Sequence, residues 1–318
     1  MQHIRRTSFQ NGGLLVLLGC FVLGLFLVAG GILAPVRPAR GPVPAGAAAA
    51  NGDLPPVIVA IKPAEARDAQ LMLAALDRIG FDLDAVQKGY ISVPRLVLAN
   101  LPPDLERLDA SDARKTLFLR IMLPAVLAAN ERIGADRQHL LKIKGDLVSG
   151  VQMSAADVQW VLQMGDAYDQ TDADVDALLK KVDVVPPSLA LAQAIEESGW
   201  GTSRIARAQN SLFGQFGQDA SGEWDYKGFA SLQEAVASYM HNLNTHRAYK
   251  EFRQIRARMR ATAGEIDGME LSATLHRYSE RGDDYVHNLR SIMRDNGLEA
   301  FDFARLNARR IAAIVASN

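Results

Sequence analysis

The sequence predicts a mainly α fold (α+β): an N-terminal transmembrane helix, a helical middle region, and a helical C-terminal domain with a short β-hairpin lobe. Three observations predict it. One long apolar run near the N-terminus carries no charge, apolar residues recur at helical spacing through most of the chain after residue 64, and strand-like alternation is confined to a short segment, EWDYKGF at 223–229.

The apolar run comes first. Residues 12–36, GGLLVLLGCFVLGLFLVAGGILAPV, form a stretch of about 25 residues, long enough to cross a bilayer core. A cleaved signal peptide has an apolar region of about 7 to 15 residues, so the length favours an uncleaved anchor. Leu17, Leu18, Gly19 and Cys20 resemble a lipoprotein processing box, yet the residues after Cys20 are apolar rather than a polar tether. Arg5 and Arg6 precede the span and Arg37 and Arg40 follow it, so charge alone leaves the orientation open. Cys20 is the single cysteine, which excludes an intramolecular disulfide and leaves no thiol nucleophile or cysteine metal site after the span. Residues 37–63 are rich in Pro, Ala and Gly without periodicity and read as a linker.

A helix is expected from about Ala64, with Leu71, Leu73, Leu76 and Ile79 before Gly80. A short Val-rich piece, YISVPRLVLANLPPDL, is stopped by Pro102 and Pro103, and residues 116–133 read as a largely buried helix kinked at Pro124. Two further helices carry box-like starts, Ser154 with Asp157 and Thr171 with Asp174.

Pro186, Pro187 and Ser188 then open a helix that continues through LALAQAIEES, with Leu189, Ala192 and Ile195 on one apolar face and Gly199 placed to end it. Glu197 falls in the last turn, where the partial negative charge of the helix end disfavours a carboxylate and pushes its pKa upward. An acid that keeps its proton near neutral pH is what leaving-group protonation in glycoside hydrolysis needs. Trp200 could add desolvation or a face for a sugar ring. The spacing is equally met by two solvated glutamates at a helix end.

The wider string LALAQAIEESGWGTSRIARAQNSLFGQFG, residues 189–217, resembles the glucosaminidase domain of glycoside hydrolase family 73, particularly its Bax-type members from Gram-negative bacteria. Members carry an alanine-rich helix ending in Glu-Ser-Gly-Trp-Gly, then Thr-Ser, a short helix and an Asn-x-Leu-Phe-Gly segment, here Asn210, Leu212, Phe213 and Gly214. The similarity continues through SLQEAVASYMHNLNTHRAY and YSERGDDYVHNLRSIM, and more weakly upstream through VPRLVLANLPPDL and LPAVLAANERI. The resemblance implies a lysozyme-like fold with a β-lobe over a sugar cleft, and it implies that the glutamate before Ser-Gly-Trp-Gly, Glu197 rather than Glu196, is the general acid. Trp200, Phe213 and Tyr278 are candidate apolar faces for sugar rings, with core packing as the alternative for each. The implied substrate-binding set also includes Asn210 and Asp225.

The chain departs from the family at the lobe. Only QDASGEWDYKGFA separates LFGQFG from SLQEAV. Period-2 reading puts Glu223, Asp225 and Lys227 on one face and Trp224 and Tyr226 on the other, with Asp219 and Gly222 making the turn. Glu223 is the candidate second catalytic carboxylate, and two solvated acids on a hairpin is the competing reading. Glu234 belongs to a capping box opened by Ser231.

Other chemistries are not supported. A formal net charge of −1 without a basic stripe argues against nucleic acid. His241, His246, His276 and His287 show no metal-ligand spacing with carboxylates, GxSxG and phosphate-loop motifs are missing, and no cofactor is implied. The expected organisation is an anchor at 1–36, a linker at 37–63, a helical region at 64–150, a glucosaminidase domain at 151–300 and a tail at 301–318. The expected function, implied by the resemblance, is cleavage of peptidoglycan glycan strands after N-acetylglucosamine by a single-pass inner-membrane protein whose soluble part lies in the periplasm. A muramidase or lytic transglycosylase, or a glycan-binding assembly protein, are the alternatives; no protein partner is identified.

Overall fold

Most helices open on a short polar side chain that satisfies the free N–H groups of the first turn. The computed structural model describes residues 61–108, 111–170, 174–218, 223–262, 264–308 and 313–314. Its helices are α1 (Pro63–Ala66), α2 (Ala69–Arg78), α3 (Leu83–Gln87), α4 (Ser111–Val148), α5 (Ala155–Ala167), α6 (Val175–Lys181), α7 (Pro187–Ser198), α8 (Arg204–Gln209), α9 (Leu232–Thr245), α10 (Lys250–Thr262), α11 (Gly268–Leu271) and α12 (Asp283–Asp295). Its strands are β1 (Leu96–Val97), β2 (Phe216–Gln218), β3 (Trp224–Tyr226) and β4 (Ala313–Ile314). Asp68 caps α2 by accepting from Leu71 N at 2.8 Å, and Ser154 caps α5 by accepting from Asp157 N at 3.1 Å. The cap of α6 is Asp174 itself, which accepts from Asp176 N and Ala177 N. Thr171, the start expected from the sequence, lies outside the described residues. So do the apolar run at 12–36 and the Asp219 and Gly222 turn. Among the described residues no helix is long and apolar enough to cross a membrane.

Helix α4 is the long strut. Its 38 residues extend about 57 Å at 1.5 Å per residue, well past both ends of the expected 116–133. Pro124 removes one ladder hydrogen bond, yet the helix runs through it because Leu117, Phe118, Met122, Leu123 and Val126 are fully buried around it. Beyond Ile133 the apolar stripe narrows to Leu140 and Ile143, which keep one face on the core.

Helix α7 is buried on every side from Pro187 to Ile195, among α4, α12 and the 3-10 turn Leu298–Phe303. This corrects the single apolar face expected of Leu189, Ala192 and Ile195: a helix whose polar positions are filled by Ala and Ser can be covered all round. The strand-like entry to α7 is fixed by polar groups. Asn130 of α4 donates to Val185 O at 2.7 Å and accepts from Val185 N at 3.0 Å. The buried Arg256 of α10 donates to Asp183 O and Val184 O, while Arg260 pairs with the Asp183 carboxylate at 3.1 Å.

The described residues beyond 300 include several that pack on the rest of the chain. Phe301 lies in the core, and Asp302 accepts from Ser188 N and Ser188 Oγ, each at 2.7 Å, so it caps α7 from a distant part of the chain. Strand β4 pairs in parallel with β1, Leu96 opposite Ala313 and Val97 opposite Ile314. Residues from both sides of position 150 share one apolar core. The second sheet is the antiparallel β2–β3 hairpin, with Phe216 opposite Tyr226 and Gln218 opposite Trp224. Phe216 and Gly217, which belong to the LFGQFG motif, supply its first strand.

Candidate active site

The Glu-Ser-Gly-Trp-Gly string is a helix end followed by a forced turn. Gly199, Trp200 and Gly201 are all left-handed, with φ of 57°, 60° and 74°. Gly201 is needed for space as well, because a Cβ there would stand 2.7 Å from Leu101 Cδ1. Ser198 Oγ accepts from Gly201 N at 2.9 Å and ties the turn back to the helix.

This turn sends Glu196 and Glu197 into different surroundings. The Glu196 carboxylate is taken up by Arg281 at 2.6 Å and by the amide of Asn288. Glu197 instead turns toward Tyr285 and the loop at Gly214: Oε1 accepts from the Tyr285 hydroxyl at 3.0 Å and Oε2 lies against Gly214. Burial pushes the Glu197 carboxyl up to about 7, against the Tyr285 hydrogen bond; the Glu196 charge adds to the rise and Arg281 opposes it. The acid is therefore half protonated near neutral pH.

Of the seven tyrosines, five feel the Glu197 charge: Tyr226, Tyr239, Tyr249, Tyr278 and Tyr285. Each is raised above the ordinary phenol value, first by burial, so all remain neutral donors. Tyr278 and Tyr285 are stacked at 5.6 Å, and the Tyr278 hydroxyl donates to Phe213 O at 2.8 Å. Gln193, one turn before Glu197, bridges Tyr239 and Tyr285. Among the described residues no cluster of three His, Cys, Asp or Glu side chains is placed to hold a metal.

The structure redistributes the expected sugar-binding faces. Phe213 is 1% exposed and stacked on Tyr239 at 4.0 Å, which leaves no ring face for a sugar. Asn210 is 2% exposed, and its amide donates to Ala99 O, Asn100 Oδ1 and Phe229 O; it holds the loop after α8 and is committed to that role. Trp200 packs edge-on against Phe118 at 5.9 Å with Lys115 over its ring, and so is joined to α4. Tyr278 does stand beside the acid. On the hairpin, cross-strand pairing puts Phe216, Tyr226 and Trp224 on one face, with Phe216 and Tyr226 in ring contact at 4.3 Å. Asp225 stands on the other face, opposite Gly217, and Lys227 turns toward α9, where it donates to Ser238 Oγ at 3.1 Å. Glu223 is exposed just before β3. The charges acting on Glu197 are those of Glu196 and Arg281.

A single carboxyl poised near pH 7, a ring of neutral hydroxyls and an aromatic hairpin can protonate a glycosidic oxygen and hold a sugar beside it. Comparison with known proteins gives the family. The family model described as mannosyl-glycoprotein endo-beta-N-acetylglucosaminidase matches residues 173–298. Protein bax of Escherichia coli strain K12 is 32% identical over 202 residues, covering 61% of this chain and 74% of that protein. The chain belongs to the glucosaminidase family. Among solved structures, the catalytic domain of the autolysin Auto from Listeria monocytogenes is 18% identical, with 50% of this chain and 96% of that chain covered at a TM-score of 0.28. The matched residues 173–298 include Glu197, the five tyrosines around it and the β2–β3 hairpin. Gln193 and Tyr285 escaped the sequence analysis, although Gln193 stands four residues before Glu197 and so on the same helix face.

Proposed function

We propose that this glucosaminidase is a peptidoglycan hydrolase that cleaves the β-1,4 bond after N-acetylglucosamine, with Glu197 as general acid. The observation that carries the reading is the Glu197 carboxyl, half-buried at the end of α7 and held near pH 7. It donates its proton to the glycosidic oxygen as the C–O bond breaks, and water is the final acceptor at the oxocarbenium-like carbon. Glu223, on the hairpin, is the proposed base for that water. Residues 12–36 would anchor the chain in the inner membrane and leave the domain in the periplasm, where peptidoglycan lies.

A second reading keeps the acid and changes the bond: a muramidase or lytic transglycosylase. The neighbouring carboxylate that acts on Glu197 is Glu196, already engaged by Arg281 and Asn288, and a reaction with one working acid would suit that arrangement. Mass spectrometry of muropeptides released from purified sacculi separates the readings. Reducing-end N-acetylglucosamine supports the proposal, reducing-end or anhydro N-acetylmuramic acid supports the second, and sacculi bound without release would leave only a glycan-binding role.

A further inference from the structure

The hydrogen bonds behind Glu197 form a directed chain. Tyr239 OH donates to Gln193 Oε1 at 2.6 Å, Gln193 Nε2 donates to Tyr285 OH at 3.0 Å, and Tyr285 OH donates to Glu197 Oε1 at 3.0 Å. Gln193 is 0% exposed, and both tyrosines are buried. The amide is the one link whose two ends differ chemically, so it sets the direction of the whole chain. With Nε2 toward Tyr285, the phenol oxygen is already an acceptor and its proton is free for the carboxyl. With the amide reversed, Gln193 Oε1 would draw that proton, and Glu197 Oε1 would face only lone pairs.

The two carboxyl oxygens are thereby made unequal. Oε1 receives a proton donor from α12, whereas Oε2 stands against Gly214. We propose that Gln193 is a positioning residue: its amide fixes the direction of the Tyr239–Gln193–Tyr285–Glu197 relay and so reserves Oε2 of Glu197 for the acid proton. The rings that carry the relay are held by stacking, Tyr239 on Phe213 and Tyr285 on Tyr278, so the hydroxyls can rotate but the oxygens cannot wander. After the proton leaves Oε2, the same Tyr285 donation stabilises the carboxylate that remains.

The inference rests on the reading of Glu197 as the acid, but its test does not require cleavage. The carboxyl carbon of Glu197 is titrated by 13C NMR in the full-length chain in detergent micelles, with Glu197→Gln to assign the signal. Other groups acting there are Glu196 on the same helix, Arg281 before α12, and the neutral Tyr226, Tyr249 and Tyr278, none of which the variants change. Tyr285→Phe deletes the donated bond and should raise the midpoint by about one unit. Gln193→Leu and Tyr239→Phe, neither of which removes an atom touching Glu197, should each raise it by about 0.3 to 0.6 unit, because a donor no longer polarised or directed donates less. In a Tyr285→Phe background both should have no further effect. Tyr239→Phe keeps the ring and its stack, so it reads the relay even where Gln193→Leu fails to fold. A midpoint unchanged in Tyr239→Phe, or a shift that persists in the Tyr285→Phe background, overturns the relay. Absence of glycan cleavage by the wild type would instead defeat the proposed function and leave this titration standing.

Discussion

Oε2 of Glu197 lies 2.9 Å from the point that a Cβ on Gly214 would occupy, and the Gly214 backbone is left-handed with φ 59°. Two motifs 17 positions apart in one string thus meet at one oxygen. The helix ending in Glu-Ser-Gly supplies the carboxyl, and the Leu-Phe-Gly loop supplies a wall with no side chain, so that the carboxyl can be half-buried without being blocked.

Gly214→Ala therefore acts on the acid directly. The methyl group must displace the carboxyl or the loop, and the left-handed backbone adds a strain of about 1 kcal/mol. Turnover should fall by roughly 10-fold or more, with a melting temperature only a few degrees lower. Wild-type turnover in a folded Gly214→Ala protein would show that Oε2 has room to move.

Glu197→Gln should remove glycan release, roughly a 100- to 10,000-fold loss for a general acid, while Glu196→Gln costs much less. Equal losses in two folded variants would sink the assignment. The pH profile follows from the raised carboxyl: activity needs the protonated form, so kcat/KM falls as pH rises through about 7. Stability carries the same sign. The folded pKa of about 7 stands above the reference 4.5, so stability is fully present below 4.5 and lost as pH rises through 7, up to about 3 kcal/mol. Glu197→Gln lacks this loss, and denaturant unfolding should find it more stable than wild type at pH 8 by an amount that vanishes at pH 4.

Legibility in the sequence followed how local each signal was. The end of α7, its Gly199 stop and the caps at Ser154 and Ser231 are set within a few residues, and they stand where the spacing predicts. The burial of α7 on all sides is not local, because it depends on α12 and on the turn at Leu298–Phe303 arriving from the far end of the chain. The same applies to the aromatic assignments. Phe213 and Phe216 are three residues apart in one motif, but one is stacked in the core and the other stands on a hairpin, a difference set by what packs against each. Glu197 was legible as the acid candidate because its helix position and motif coincide. Its partners Gln193 and Tyr285 were not, since the path between them crosses from α7 to α12.

The second carboxylate is tested by comparing Glu223→Gln with Asp225→Asn on the same glycan. Glu223→Gln should lower turnover roughly 10- to 1000-fold, the span of a general base. Asp225→Asn should cost less, since Asp225 spends Oδ1 on Tyr226 N at 2.7 Å and an Asn there keeps that acceptor. Full activity in Glu223→Gln would move the role to the acetamido group of the substrate.

The hairpin rings give a prediction about binding rather than chemistry. Trp224 is 61% exposed and Phe216 43% exposed, on the face that also carries Tyr226. Such rings offer a stacking surface for a sugar at little structural cost. Trp224→Ala and Phe216→Ala should each raise KM about 3- to 10-fold with kcat nearly unchanged, the pattern of lost uniform binding. A fall in kcat at constant KM would place these rings in the chemical step instead.

Asp302 links the end of the chain to the acid through the helix between them. It caps α7 by accepting from Ser188 N and Oγ, and burial nevertheless raises its carboxyl to about 6 from a reference of 3.8, against those two hydrogen bonds. Because the folded value is the higher one, this group contributes stability that is present below 3.8 and lost as pH rises through 6, at most about 3 kcal/mol. Asp302→Asn keeps an acceptor for Ser188 N but cannot ionise. Its unfolding free energy should therefore change less than that of wild type between pH 3.8 and 6, the interval bounded by the two values. Asp302→Ala removes the cap as well and should cost about 1 to 2 kcal/mol even at about pH 3, where the carboxyl is mostly protonated in both the folded and the unfolded chain. Parallel pH profiles for wild type and Asp302→Asn in urea titrations would mean that Asp302 ionises as freely in the folded protein as in the unfolded chain.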